Sequence, residues 1–343
     1  MYPFESYRDA LIRACYRVML GREVEEEISA QLTAEELPSA VAREVESILD
    51  SVFNSEEAQY RLKRRHKLEF PNLYDNMEHK AICFIHLEKT GGKTLDAAIS
   101  DGFAPDKIFR EDGIKLYCYS PGELSVFKYI TGHYDYYETL FIPAVEVVRV
   151  AMFRHPLDRL ISFYRYHRAH DAAAEPLNPF VALARSLEPE AFFRHPTVRS
   201  SPRIDNAYLH VFGANAVGTN LPRGPARDSA FERAWSRIAS LDAVGLTHRM
   251  GESVECIFRA VGLKVPETVE WRNRWMDFEG VRPDLSAVGP VSLTPKLREL
   301  LADLIDCDDK LYALAETRFE ELKSRMGVWG SVRETLPLSQ ATG

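Results

Sequence analysis

Two segments of the chain carry residue types suited to holding phosphate groups. The first, His86-Leu-Glu-Lys-Thr-Gly-Gly-Lys-Thr-Leu95, leaves an apolar run and enters a helix-patterned one. Its paired glycines, Gly91 and Gly92, permit a tight turn in which backbone N–H groups wrap an anion at a helix N-terminus. Lys89 and Lys93 offer cationic donors there, and Thr90 and Thr94 offer hydroxyls. The plainer alternative is a Gly-Gly loop with surface lysines. A Walker-type loop needs glycine five residues before the Gly92-Lys93 pair, and that position holds Leu87.

The second segment is Arg149-Val-Ala-Met-Phe-Arg-His-Pro-Leu-Asp-Arg-Leu-Ile-Ser-Phe-Tyr164. A strand is expected to end at Arg154, Pro156 suits a helix first turn, and Ser162 follows His155 by two turns. A metal-using phosphotransferase would end such a strand in an acidic ligand; a cation there favours a metal-free site for a further phosphate. Between the two segments, Lys128-Tyr-Ile-Thr-Gly-His-Tyr-Asp-Tyr-Tyr137 reads as a strand ending in Gly-His. His133 is the histidine, among ten, best placed to take a proton near neutral pH, with a loop hydrogen-bonding role as the alternative.

The elements that must position these residues are legible as periodicity. Ala81–His86 and Val145–Phe153 are short apolar runs expected as buried strands, each followed by a helix-patterned stretch, Thr94–Ser100 and Leu157–His167. Strand then helix, repeated, predicts an α/β fold with a P-loop-like parallel sheet flanked by helices. Gly251–Val261 and Pro295–Leu322 carry helical apolar faces, the latter opened by Thr294 as a cap. Upstream, apolar faces at Tyr7, Leu11, Val18 and at Val41, Val45, Ile48 predict a small all-helical N-terminal domain over 1–66. The main domain is expected over 77–330 and a flexible tail over 331–343.

Composition narrows the classes. A formal net charge of −8 argues against a general nucleic-acid binder. Five scattered cysteines without a CxxC pair suggest reduced packing thiols rather than a disulfide framework or zinc site. No leader-type apolar segment opens the chain and no apolar stretch approaches the roughly 20 residues of a membrane span, so a cytoplasmic protein is expected.

The first segment is similar to the 5′-phosphosulfate loop of sulfotransferases that act on carbohydrates, His-x-Pro-Lys-Thr-Gly-Gly-Thr-Ser. Lys89, Thr90, Gly91 and Gly92 match, and Thr94 keeps a hydroxyl, while Glu88 replaces the usual Pro and Lys93-Thr94 replaces Thr-Ser. The second closely resembles the 3′-phosphate motif of the same family, Arg-x-Pro-x-x-Arg-x-x-Ser. The resemblance runs from about Lys80 to Phe319, with His248 where Glu is more usual. It implies a donor, 3′-phosphoadenosine 5′-phosphosulfate, released as 3′,5′-bisphosphoadenosine with no metal required, and a carbohydrate acceptor. It further implies that Lys89, Thr90, Gly91, Gly92, Lys93 and Thr94 hold the 5′-phosphosulfate. Arg154 and Ser162 hold the 3′-phosphate, Arg159 packs beside them, His133 is the acceptor base, and Lys89 also serves catalysis. Arg165, His167, Arg168 and His170 are candidate contacts to an anionic glycan, and Tyr134, Tyr136, Tyr137, Tyr164 and Tyr166 candidate stacking surfaces. A weaker likeness links Cys15-Tyr-Arg-Val-Met-Leu-Gly-Arg-Glu23 and Asn54-Ser-Glu-Glu57 to a helical module appended to bacterial carbohydrate-modifying enzymes. A P-loop nucleotide kinase and a non-catalytic nucleotide- or glycan-binding module remain as rival readings.

Overall fold

The computed structural model describes residues 80–110, 116, 119, 121–171, 178–214, 224–272, 286 and 288–335. The helical domain expected over 1–66 lies outside the described residues. The chain divides into two units, 1–77 with Pro121–Ser125, and 78–120 with 126–343. Within the first, the short helix Pro121–Leu124 is described. The second unit carries the sheet and the helices around it.

Its centre is a five-stranded parallel sheet of β1 (Lys80–Ile85), β2 (Ile108–Arg110), β3 (Tyr129–Gly132), β4 (Glu146–Phe153) and β5 (Ala243–Leu246), in the order β2-β3-β1-β4-β5. The apolar runs of β1 and β4 are buried along nearly their whole length, as strands covered on both faces must be. One face, through Ile82, Phe84, Val148, Val150 and Met152, packs on Leu95 and Ile99 of α1 (Gly92–Ser100). Alternate residues face the other way, where Phe153 stacks on Phe212 at 5.5 Å. The helices of six or more residues that follow are α2 (Pro156–Ala169), α3 (Pro179–Ser186), α4 (Pro189–Arg194), α5 (Ala207–Gly213), α6 (Pro225–Ala239), α7 (Met250–Val261), α8 (Pro295–Ala302) and α9 (Asp306–Met326). Five of these open on proline, whose missing N–H would have no intrahelical partner at that position. A second apolar cluster joins α2, α3, α4 and α8 through Leu160, Phe163, Phe180, Phe193 and Leu301.

Two departures from the sequence reading have physical causes. The single helix expected over Pro295–Leu322 is two, α8 and α9, because a tertiary contact starts the second one. Asn206 Oδ1 accepts from the N–H groups of Cys307 (2.8 Å) and Asp308 (3.1 Å), capping α9. In return the Asp308 carboxylate accepts from Tyr208 N (3.1 Å) and Leu209 N (3.0 Å), capping α5. The two helix starts thus complete each other, with Asn206 in the left-handed conformation (φ 50°) that Asn tolerates better than most residues. Second, residues 331–335, expected in the tail, are ordered by pairing: β7 (Arg333–Thr335) runs parallel to β6 (Thr268–Glu270), and Glu334 Oε1 takes the N–H of Gly251 at 2.9 Å. The remaining tail positions, 336–343, lie outside the described residues. Cys83, Cys256 and Cys307 are free thiols, with burial pushing Cys83 up to about 12.

Asn206→Ala removes the cap of α9 and leaves at φ 50° a residue that, unlike Asn, has no polar side chain to favour the left-handed region. A loss of about 3 kcal/mol is expected from urea unfolding, and Asn206→Gly, which relieves only the backbone, should lose less.

Candidate functional site

In open parallel sheets, ligands collect beyond the C-terminal strand ends where the chain switches from one side of the sheet to the other. Here β1 is that place: the chain goes from it to β2 and β3 on one side, then crosses to β4 and β5 on the other. A cleft of about 1320 Å³ opens at the strand ends, lined by His133 after β3, by Lys89, Gly91 and Gly92 after β1, by Arg154 after β4 and by His248 after β5. Lys93 and Ser162 also line it. The fold therefore brings both phosphate-type segments and the candidate base to one cleft.

The loop after β1 is tightly built. Lys89 has φ 66°, a left-handed conformation that costs a non-glycine residue about 1–2 kcal/mol, and Gly91 follows at φ 79° as the N-cap of α1. Gly92 lies against the imidazole of His86, so closely that an added β-carbon would overlap the ring. The Thr90 hydroxyl donates to Leu87 O (2.8 Å), and the Thr247 hydroxyl reaches Thr90 O (2.5 Å) and Phe153 O (3.0 Å), pinning the loop to the end of β4. Thr94 Oγ1 accepts from Arg272 N at 2.8 Å. The hydroxyls of Thr90 and Thr94 thus brace the loop internally, whereas sequence reading offered them to a ligand. The first N–H groups of α1, which a helix leaves without intrahelical partners, remain the loop's natural anion donors.

Lys89 is the most perturbed cation in the cleft. Its ammonium sits 3.5 Å from the centre of the Tyr166 ring. Burial lowers its pKa to about 7; Glu88 opposes the fall, and Arg154, Lys93 and Arg203 add to it. Arg154 Nη1 donates to Lys89 O at 3.3 Å, a direct tie between the two segments. The Tyr208 hydroxyl holds the Arg154 backbone from both sides, accepting from its N–H (3.1 Å) and donating to its carbonyl (2.5 Å). Arg159 is buried, donating from Nη2 to Arg203 O (3.0 Å), as its expected packing role requires.

His133 is exposed, with Nδ1 2.6 Å from His86 O. A carbonyl oxygen only accepts, so Nδ1 carries the proton and Nε2 is left as the basic nitrogen of the neutral ring. The His86 ring packs on that of His133 with centroids 4.6 Å apart and the planes tilted by 31°. Burial first, then the neighbouring His133, Lys93 and Lys89, keep His86 well below the ordinary histidine range, so it braces rather than titrates.

Three residues important to the site escaped sequence reading: Arg203, Thr247 and Trp271. Trp271 lines the cleft with its indole Nε1 fixed on Glu334 Oε2 at 2.7 Å. The unusual Glu88 was the available signal for Arg203, since an anion in a phosphate-type loop calls for a compensating cation. The suggested glycan contacts on α2 are mostly internal. His167 and His170 are buried, and Arg168 donates to Ala184 O, Leu187 O and Glu188 Oε1. Tyr134 and Tyr164 are core residues, whereas Arg165, Tyr166 and the largely buried His167 do line the cleft. Neither a protein-family model nor a curated protein matches the chain.

The depressed Lys89 has a thermodynamic signature. Below about pH 7 it is charged both folded and unfolded, and the folded state bears the full cost of burying that charge. Between about pH 7 and 10.5 the unfolded chain keeps the proton that the folded protein has released, so stability rises with pH through this window. Lys89→Met is expected to unfold at a higher temperature than wild type below pH 7, with the gap closing toward pH 10 in parallel calorimetric scans.

Proposed function

We propose that the protein transfers a sulfuryl group from 3′-phosphoadenosine 5′-phosphosulfate to a hydroxyl, with a carbohydrate as the acceptor class. The observation that carries this reading is the tie from Arg154 Nη1 to Lys89 O: two segments resembling the 5′ and 3′ phosphate motifs meet beside His133. The donor supplies an activated sulfuryl group on a phosphate leaving group. Lys89 and the first N–H groups of α1 hold the 5′-phosphosulfate, and Arg154 and Ser162 hold the 3′-phosphate. His133 Nε2 takes the proton of the acceptor hydroxyl as its oxygen attacks sulfur in line. The bond from sulfur to the bridging oxygen breaks, and Lys89 stabilises the charge that develops there. The products are a sulfate ester and 3′,5′-bisphosphoadenosine, with the proton left on His133.

The resting charge of Lys89 fits a polyanionic ligand. Near pH 7 the lysine is poised between its two forms, and a bound phosphate supplies the opposite charge that draws it fully to the ammonium. Binding by this route takes up protons.

At about 100 times its dissociation constant, 3′,5′-bisphosphoadenosine should stabilise the protein by about 2.7 kcal/mol without magnesium, and Arg154→Ala should abolish the thermal shift. A shift given only by ATP with magnesium would mean a kinase instead. With labelled donor and a panel of glycans, His133→Ala should lower turnover by about two orders of magnitude or more. Turnover near wild type would remove His133 from the base role, and donor-product binding with no transfer to any glycan would favour a binding module.

A further inference from the structure

Glu88 is the residue that least suits an anion site, and its surroundings account for it. Arg203 meets its carboxylate with two contacts, Nη2 to Oε1 at 2.7 Å and Nε to Oε2 at 2.9 Å. That fork geometry is the strongest arrangement open to a carboxylate and a guanidinium. Arg203 is itself held: its guanidinium lies 5.1 Å from the ring centres of both Phe163 and Phe180, and its carbonyl takes the Arg159 bond. The pair therefore joins the loop after β1 to α2 and α3 immediately before Lys89, the residue in strained backbone.

We propose that Glu88 and Arg203 form a positioning pair that fixes the place of Lys89 and balances the cations crowded around it. The inference rests on the donor-site reading for its purpose, though not for its test. The charged and titratable groups facing this pair and Lys89 are Lys93 on α1, Arg154 at the end of β4, and Arg165 and His167 on α2. Among the described residues, Tyr166 of α2, His86 and His133 also face them, and Asp158 of α2 acts on Arg154. Lys93, Arg154 and Arg165 are cationic, and His167 is held by burial at about 3 and stays neutral. Glu88 is thus the anion beside Lys89. Burial pushes its carboxyl up, but the charge and hydrogen bonds of Arg203 outweigh this and hold it below the usual carboxylate range. Glu88 is ionised throughout the neutral region, and Arg203 keeps it from turning toward the ammonium or toward an incoming phosphate.

Charge balance and simple bracing differ in what they do to the protonation of Lys89. In Glu88→Gln the lysine loses its neighbouring anion and faces an uncompensated Arg203; in Arg203→Met it faces an unclamped carboxylate; Glu88→Gln with Arg203→Met removes both charges. The experiment is trace acetylation of the full chain with acetic anhydride across pH 5–11, reading the Lys89 peptide by mass spectrometry, with no nucleotide present. The pH midpoint of Lys89 reactivity should fall by about one unit in Glu88→Gln, rise by about one unit in Arg203→Met, and return near wild type in the double variant. Midpoints within 0.3 units of wild type in both single variants would overturn the proposal and leave the pair a brace only. Circular dichroism on the same samples identifies any variant that fails to fold; if Arg203→Met does, Arg203→Lys, which keeps the charge without the fork, replaces it with an unmoved midpoint expected, and a Glu88→Gln midpoint within 0.3 units of wild type, or an Arg203→Lys midpoint shifted by about one unit, then overturns the proposal. Titration with 3′,5′-bisphosphoadenosine afterwards separates this result from the donor-site reading, since the acetylation midpoints hold whether or not the nucleotide binds.

Discussion

A lysine drawn out of water among other cations is the constraint around which this site is organised. Lys89 shares its end of the sheet with Lys93, Arg154 and Arg203, and burial alone would strip its proton well below the usual lysine range. Nothing in local sequence preference favours this placement, and its left-handed backbone adds strain. What keeps it is a set of contacts from several elements: the Tyr166 face under the ammonium, Arg154 on its carbonyl, Thr247 on the next carbonyl, and the Glu88–Arg203 fork beside it. Strain and like charge held by surrounding structure are the usual marks of a site organised for a ligand of opposite charge.

The supports reach far from the cleft. Arg154 is held by Tyr208, Tyr208 lies in the first turn of α5, and α5 is capped by Asp308 from α9. Arg159, buried in α2, reaches the carbonyl of Arg203 and so meets the same network from the other side. Its Nε lacks a partner among the described residues, a cost tolerated where a guanidinium must bridge two layers. The cleft is thus backed by α5 and α9, helices that contribute no side chain to the chemistry proposed for it.

Sequence alone reached the parts of the fold governed by local pattern. β1, β4, α1, α2 and α7 are visible as apolar runs and helical periodicities, since their burial follows from their own residues. β5 escaped because four residues, Ala243-Val-Gly-Leu246, are too short a run to mark a strand without its neighbour β4. The break between α8 and α9 is imposed by Asn206, about a hundred positions away, and no residue between Ala302 and Asp306 announces it. The site divides in the same way. Lys89, Gly91, Gly92, Arg154 and His133 were legible because residue type, order and strand ends point to them. Arg203 has no local signature, its role being set by two phenylalanines and a glutamate from other elements. Thr94 was read as a ligand hydroxyl because sequence cannot show that the Arg272 backbone, 178 positions on, occupies it.

The exchange of caps between α5 and α9 bears on how this chain can drift. Asn206 serves the helix that carries Asp308, and Asp308 serves the helix that begins after Asn206. Altering either partner strands polar groups belonging to the other, so neighbouring genotypes with one member changed are poor and those with both changed are more than one step away. The two positions should therefore be inherited together in descendants of this sequence. An observer comparing such descendants would find an invariant Asn and Asp and be tempted to assign them chemistry, although what they preserve is the hinge on which Tyr208, and through it Arg154, is hung.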